Sequence, residues 1–198
     1  MMLKRGQTKT QDANGDLMQA TETLKHEHDL IERVLVLLSD AAKTLQGGGH
    51  LPFGFQEWAV DFIRRFADGC HHAKEEEVLF PLLEQRGVAR HGGPIGVMLY
   101  EHDIGRDCVG RMAAALPSAN NNPAAFAAAA QEYVALLRQH IFKENNVLFR
   151  IADRVLKPGD DEDVVSRYRT ADGPGGDALH RQYEVDVCRW EDEFSASK

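Results

Sequence analysis

Apolar residues recur along most of the chain at intervals of three, four or seven positions, the spacing that predicts amphipathic α-helices. The first such stripe begins near Met18 and includes Leu24, Ile31 and Leu38. It stops at the glycine run 47–49, because glycine favours the end of a helix. A first helix is therefore predicted between these points.

Three more stripes of the same kind follow, and each begins at a proline, which the first turn of a helix tolerates. They run from Pro52 to Gly87, from Pro94 to Pro117 and from Pro123 to Pro158. Amphipathic helices joined by short loops predict an all-α protein, an antiparallel up-down-up-down four-helix bundle.

The bundle domain is predicted over residues 18–157. Residues 1–17 are polar and without periodicity, so we expect a flexible tail. The segment 158–198 is expected to begin as a loop rich in glycine and aspartate, with one short helical turn at 164–168. A last apolar stripe then predicts a C-terminal helical extension that packs on the bundle or on a partner, with a homodimer as one possibility. The stripe consists of Leu179, Tyr183, Val187, Trp190 and Phe194.

Polar residues interrupt the bundle stripes in a repeated order. The triplet Glu-His-Asp occurs at 27–29 and 101–103, and the pattern His-x-x-Lys-Glu occurs at 71–75 and 140–144, followed each time by Val-Leu-Phe. Because residues four apart share a helix face, each His/Glu pair points an imidazole and a carboxylate the same way. The histidine of each triplet adds one more imidazole. The predicted metal ligands are His28, His71, Glu75, His102, His140 and Glu144.

Carboxylates in the apolar seam of a bundle cost several kcal/mol each unless they are paired or bind a metal. The basic neighbours Lys74 and Lys143 are expected to point to other helix faces, so a metal explains Glu75 and Glu144 better. Imidazole and carboxylate without thiolate suit iron, manganese or zinc, and this ligand set exceeds what one tetrahedral zinc accepts.

Two ions that share both glutamates fit the repeat. Each ion then receives two histidines and two carboxylate oxygens, with positions left for an oxo or hydroxo bridge and for an exogenous ligand. We expect two non-haem iron ions, because open positions on a nitrogen-rich pair suit a small diatomic ligand or peroxide.

Several other polar residues near the repeat lie outside the predicted ligand set. His72 and Glu76 repeat the ligand spacing one position later; we expect them to be exposed, and a supporting or additional ligand role is the alternative. Glu27 and Glu101 either orient imidazoles or face solvent. His180 lies outside the repeat and is expected at the surface.

Composition narrows the partners. The formal net charge of −8 disfavours an extended nucleic-acid surface. The three cysteines stand far apart, without a CxxC motif, which argues against a zinc knuckle or a disulfide framework and favours a cytoplasmic location. Neither a signal peptide nor a membrane span is expected.

The motifs Glu-His-Asp, the run 71–81 and the run 140–149 resemble the hemerythrin-like HHE cation-binding family over about residues 20–155. Within it, the stretches 93–103 and 144–149 are most similar to di-iron proteins for repair of iron-sulfur centres after nitrosative or oxidative stress. The resemblance implies four histidines and two bridging glutamates as ligands, which fall on the same positions as the repeat.

The function expected is that of a non-haem di-iron protein that binds or reacts with nitric oxide, peroxide or dioxygen, in stress response or iron-centre repair. Two alternatives stay open: a reversible dioxygen carrier or sensor, and a metal-free helical interaction module. Whether the protein is an enzyme is open, and the sequence assigns no catalytic residue.

Overall fold

The computed structural model describes residues 18–173 and 175–196, so the tail predicted at 1–17 lies outside the described residues. Within those ranges the regular elements are all helical, and no strand occurs, which confirms the all-α prediction. No helix in the described part of the chain combines the length and the apolarity needed to cross a membrane.

The helices are numbered in chain order. Helix α1 is Gln19–Gln46 and α3 is Pro94–Ala114. Helix α2 runs over 55–85 and consists of α-helical Phe55–Phe62, π-helical Ile63–His72 and Glu75–Leu79, and α-helical Phe80–Gln85. Helix α4 runs over 123–155 and consists of Pro123–Lys143, π-helical Glu144–Leu148 and Phe149–Val155. Helices α5 and α6 are Pro158–Ala171 and Gly176–Ala196.

Helix α4 packs against both α1 and α3, and α2 contacts the same two helices. The buried apolar side chains form two separate clusters. The large cluster contains Leu38, Phe62, Met112, Tyr133 and Trp190 among others. The small cluster contains Leu24, Leu83, Met98, Phe149 and Tyr168 among others. Each of α1 to α4 contributes to both clusters, so each of these helices passes through the space between them.

The segment predicted as a loop after residue 158 is a helix, which corrects that prediction. Helix α5 is anchored by Val164 and Tyr168, which are both buried in the small cluster against α1 and α2. Its first turn is stabilised because the carboxylate of Asp160 accepts the backbone N–H of Lys157 at 3.0 Å. Two buried positions spaced by one helical turn are too sparse a pattern to stand out among the acidic residues of this segment.

Helix α5 also supplies the cap of α1. No side chain at Met18 caps that helix, but the carboxylate of Asp161 accepts the backbone N–H groups of Gln19 and Ala20 at 3.0 and 2.8 Å. A carboxylate at this end also interacts favourably with the helix dipole. The C-terminal segment therefore fixes the start of the first helix.

Helix α6 lies against α1. Tyr183, Val187, Trp190 and Phe194 are buried in the large cluster, so this stripe is covered without a second copy of the chain. The Tyr183 hydroxyl donates to Asp61 on α2 at 2.7 Å. The extension is thus held by both apolar contacts and hydrogen bonds.

Two valines of α6 give a matched test of this packing. Val187 is fully buried, whereas Val185 is 64% exposed on the same helix. We expect Val187→Asp to lower the free energy of unfolding by about 3 kcal/mol or more, because it buries an unpaired carboxylate, and Val185→Asp to change it by less than about 0.5 kcal/mol. Urea unfolding followed by circular dichroism measures both, and equal stabilities would contradict the packing of α6.

Candidate metal centre

The side chains predicted from the repeat meet between the two apolar clusters, where all are at most 1% exposed. Glu144 on α4 lies between two histidines. Its Oε2 is 3.2 Å from Nε2 of His28 on α1, and its Oε1 is 3.2 Å from Nε2 of His140. The His/Glu spacing of four residues on α4 therefore does aim both groups to one side.

Glu75 on α2 lies between the other two histidines. Its Oε1 is 3.8 Å from Nε2 of His71, and its Oε2 is 3.4 Å from Nε2 of His102 on α3. The two halves meet where Nε2 of His102 comes within 3.1 Å of Nε2 of His140.

These residues form two overlapping sets of candidate metal ligands, and in each set the donor atoms lie within 4.8 Å of one another. One set is His28, His71, Glu75 and Glu144, and the other is Glu75, His102, His140 and Glu144. Both glutamates belong to both sets. This is the layout that two ions bridged by two carboxylates require.

The donor atoms have the chemistry of an ion site. Both oxygens of Glu75, both oxygens of Glu144 and the Nε2 atoms of His28 and His71 are buried and have no hydrogen-bond partner in the described structure. Leaving so many polar atoms unpaired in a dry interior is costly, and a cation that accepts their lone pairs removes the cost. The residues present therefore fit a metal.

The pKa values of the two buried glutamates shift in opposite directions. Burial and repulsion from Glu144 raise the pKa of Glu75 well above its usual range. Burial acts to raise the pKa of Glu144 too, but the neighbouring His140 and His28 outweigh it and lower that pKa.

The pKa values of His71 and His140 also shift in opposite directions. Burial and the neighbouring His28 lower the pKa of His71 to about 4. Burial acts to lower the pKa of His140 as well, but Glu144 and Glu101 raise it to about 9. A metal that binds at pH 7 must therefore displace protons from the His140 side of the site.

Carboxylates hold the far nitrogens of two histidines. Nδ1 of His71 donates to Glu27 at 2.9 Å, and Nδ1 of His140 donates to Glu101 at 3.0 Å. Of the two roles predicted for Glu27 and Glu101, the structure shows orientation of an imidazole. Each of these glutamates also accepts a hydrogen bond from a lysine, Lys74 or Lys143.

The other two histidines donate to the residues that follow Glu75 and Glu144, which we call the inner glutamates. Nδ1 of His102 donates to Glu76 at 2.6 Å, and Nδ1 of His28 donates to the amide oxygen of Asn145 at 2.9 Å. The Nδ1 atoms of all four histidines are thus occupied, so each imidazole in its neutral form has its proton on Nδ1 and its lone pair on Nε2, toward the centre.

The Val-Leu-Phe repeat has a structural role at the same site. Phe149 stacks on His28 with ring centroids 5.6 Å apart, and Phe80 stacks on His102 at 6.1 Å. The three π-helical segments also fall here, since Glu75 and Glu144 each begin one and His71 lies within the third. Such wide turns are frequent at functional sites.

Two predictions for residues near the centre, those for His72 and His180, were wrong. Lys74 points away from Glu75, as expected, but it is 1% exposed and pairs with both Glu27 and Asp172. His72 is buried rather than exposed. His180 is half-buried, with its Nε2 3.5 Å from Asp172 and 3.8 Å from Glu27.

The partner Asp172 of Lys74 and the position of His180 were missed for one reason. Helical spacing gives the direction of a side chain on its own helix, but it does not include the C-terminal segment, where Asp172 and His180 lie. Asp172 follows α5, which the sequence pattern did not predict. The lysine that precedes the glutamate in both motifs was the available signal that a buried or oriented cation needs an acidic partner.

Comparison with known proteins finds one matching family model and several relatives. The chain matches the Hemerythrin HHE cation binding domain over residues 19–152. An uncharacterized protein of Mycobacterium tuberculosis is 26% identical over 172 residues, covering 83% of this chain and 62% of the relative. The iron-sulfur cluster repair protein YtfE of Edwardsiella ictaluri is 33% identical over 133 residues, covering 63% of this chain and 58% of the relative.

The YtfE protein of Pectobacterium atrosepticum is 38% identical over 85 residues, covering 40% of this chain and 38% of the relative. The chain thus spans about three fifths of the length of the M. tuberculosis and E. ictaluri relatives. No solved structure matches significantly.

The roles of Glu27 and Glu101 in orienting imidazoles can be tested by comparing one alanine variant of each. We expect Glu101→Ala and Glu27→Ala each to weaken metal binding by about tenfold to a hundredfold, because each releases one imidazole. Glu27→Ala should also destabilise the metal-free protein by about 3 kcal/mol or more, since it removes a partner of the buried Lys74. Lys143 is 34% exposed and can be rehydrated, so Glu101→Ala should have a smaller effect on stability.

Glu32→Ala is the control, because Glu32 follows His28 by four residues on α1 but is exposed. Competition against a chelator measures metal affinity, and urea unfolding measures stability. An equal loss of affinity in all three variants would contradict the orienting role.

Proposed function

Because the chain belongs to the hemerythrin HHE cation-binding domain family, we propose that it is a non-haem di-iron protein whose centre binds and reacts with a small ligand. The ligands that we propose are His28, His71, Glu75, His102, His140 and Glu144. The observation that carries this proposal is the pair of four-residue donor sets that share both glutamates.

We propose that α1 to α4 form an antiparallel up-down-up-down bundle around this centre. The order of the apolar clusters along each helix supports it. Helix α1 passes from the small cluster to the large one, α2 returns, α3 repeats the direction of α1, and α4 that of α2. Alternation of this kind brings all four ligand-bearing segments to one level.

Iron is the metal that we propose, with an oxo or hydroxo bridge between the two ions. Donors that are nitrogen and oxygen without sulfur suit iron, and the YtfE relatives are named for repair of iron-sulfur clusters. Iron supplies open coordination positions for small ligands and the capacity to exchange electrons with them. The residues of this chain hold the ions, fix the imidazoles and keep bulk water out.

Nitric oxide and peroxide are the ligands that we favour, in a stress-response or iron-centre repair role in the cytoplasm. The names of the YtfE relatives support this choice over a reversible dioxygen carrier. The net charge of −8 argues against a nucleic-acid partner. A metal-free interaction module leaves the unpaired buried oxygens of Glu75 and Glu144 unexplained.

Metal stoichiometry tests the centre. We expect the purified protein loaded with ferrous iron to hold two ions per chain, and Glu75→Ala or Glu144→Ala to hold fewer, because each glutamate belongs to both donor sets. Elemental analysis after desalting gives the number. Glu77→Ala, at an exposed position of α2, is the control and should retain both ions. One ion or none in the unmodified protein would overturn the di-iron proposal.

Reaction of the reduced protein separates the two functional classes. For the nitric oxide or peroxide role, we expect the diferrous form to oxidise irreversibly in air and to consume nitric oxide or peroxide over many turnovers. Stopped-flow absorbance against dioxygen and then nitric oxide follows both processes. An oxygen-dependent absorption band that disappears under vacuum would instead establish reversible dioxygen binding.

A further inference from the structure

A fifth buried imidazole lies beside the proposed ligands and is not part of the repeat. His72 is 4% exposed, and the position that corresponds to it in the second motif is Ile141. An apolar residue is sufficient for packing at this place in one half of the centre. Packing alone therefore does not explain why a histidine, His72, occupies this position in the other half.

His72 is fixed in the same manner as the proposed ligands. Its Nδ1 donates to the carboxylate of Asp68 at 3.3 Å, while its Nε2 is buried and has no hydrogen-bond partner among the described residues. Arg106 binds Asp68 at 2.9 Å and also Glu76, the residue that holds His102, at 2.7 Å. The guanidinium of Arg106 thus binds both carboxylates that orient these imidazoles, Asp68 for His72 and Glu76 for His102.

The negative charge of Asp68 determines which nitrogen of His72 can accept a hydrogen bond. Burial acts to raise the pKa of Asp68, but His72 and Arg106 outweigh it and lower that pKa to about 2. Asp68 is paired with Arg106 and acts as an acceptor, so His72 donates to it from Nδ1 and keeps Nε2 as its acceptor atom. A buried lone pair without a partner can accept a hydrogen bond.

Geometry argues against His72 and His102 as ligands of one ion. Their rings are stacked, with centroids 3.8 Å apart and planes inclined by 16°. The ring lone pairs lie in the ring planes, so stacked rings cannot aim at a common point about 2 Å away, the length of a metal–imidazole bond. Yet donor atoms of His72, His102 and His140 lie within 4.8 Å of one another. His72 therefore borders the space in which His102 and His140 would hold an ion.

A cavity of about 140 Å³ meets His72. Its lining includes Asp68, Arg106, Gly105, Val109 and Tyr133. It also includes Arg64 and Gly110, which are exposed, so the cavity reaches the protein surface. A small molecule that enters here arrives at His72, whose ring stacks on His102.

We propose that His72 is a ligand-binding residue that accepts a hydrogen bond at Nε2 from a small oxygen ligand bearing a proton, such as hydrogen peroxide, on the His102/His140 half of the centre. This inference rests on the proposed function. It assigns that half, and not the His28/His71 half, as the place where the exogenous ligand binds. It involves no change in the metal ligands.

The test compares two probes on the di-iron protein. Hydrogen peroxide can donate a hydrogen bond to Nε2, whereas azide cannot and reports only on access to the iron. His72→Ile copies the residue of the second motif and should lower the rate constant of the absorbance change with peroxide by about tenfold, the equivalent of one hydrogen bond. The azide dissociation constant should stay within about twofold and the iron content at two per chain. His72→Gln, which keeps an acceptor, should restore much of the peroxide rate.

The outcomes separate this inference from the proposed function. If the unmodified protein does not hold two irons or gives no response to either probe, the proposed function fails and the inference fails with it. If it holds two irons and His72→Ile reacts with peroxide at the unmodified rate, only the inference is overturned. Loss of iron in His72→Ile would also overturn it, because His72 would then be a metal ligand. An equal weakening of both probes would overturn it as well, because the effect would then not depend on a hydrogen bond from the ligand.

Discussion

The structure depends on two carboxylates that are buried opposite each other between two apolar clusters. Glu75 and Glu144 are fully buried, and none of their oxygens has a hydrogen-bond partner among the described residues. Two such charges cannot both ionise in a dry interior without a compensating cation, which is why the pKa of one rises and that of the other falls. The histidines alone offset only part of this cost.

The surrounding polar residues follow from that constraint. A histidine that binds a metal through Nε2 needs its Nδ1 proton placed, and in each half one partner comes from the triplet motif and one from the residue after an inner glutamate. Carboxylates in these places need cations in turn, which Lys74, Lys143 and Arg106 supply. The polar network thus extends outward from the centre until it reaches solvent.

Sequence reasoning predicted the inner part of this network because it depends on helical spacing alone. The six candidate ligands are four residues apart or repeated in register, so their convergence requires only that the helices pack. The partner Asp172 of Lys74 could not be found in this way, since it reaches the lysine from the C-terminal segment, where it also pairs with His180. The same holds for the cap of α1, which comes from Asp161 more than a hundred positions away.

The burial of His72 was missed for a different reason. A shift of one position turns a side chain by about 100° on an α-helix, which predicts a different face. Residues 63–72 are π-helical, however, and a wider turn changes the angle between successive side chains. Periodicity of 3.6 residues is therefore a poor guide to orientation in the segment that carries His71 and His72.

The two halves of the centre are built by one repeat but are not equivalent. On the His28 side, the orienting partner is the neutral amide of Asn145, and Lys74 is enclosed by Asp172 from the C-terminal segment. On the His102 side, the partner is the carboxylate of Glu76. A carboxylate partner makes an imidazole a stronger donor to a metal than an amide does. A repeat thus makes two similar positions, and local differences of this kind give the two positions unequal electrostatic surroundings.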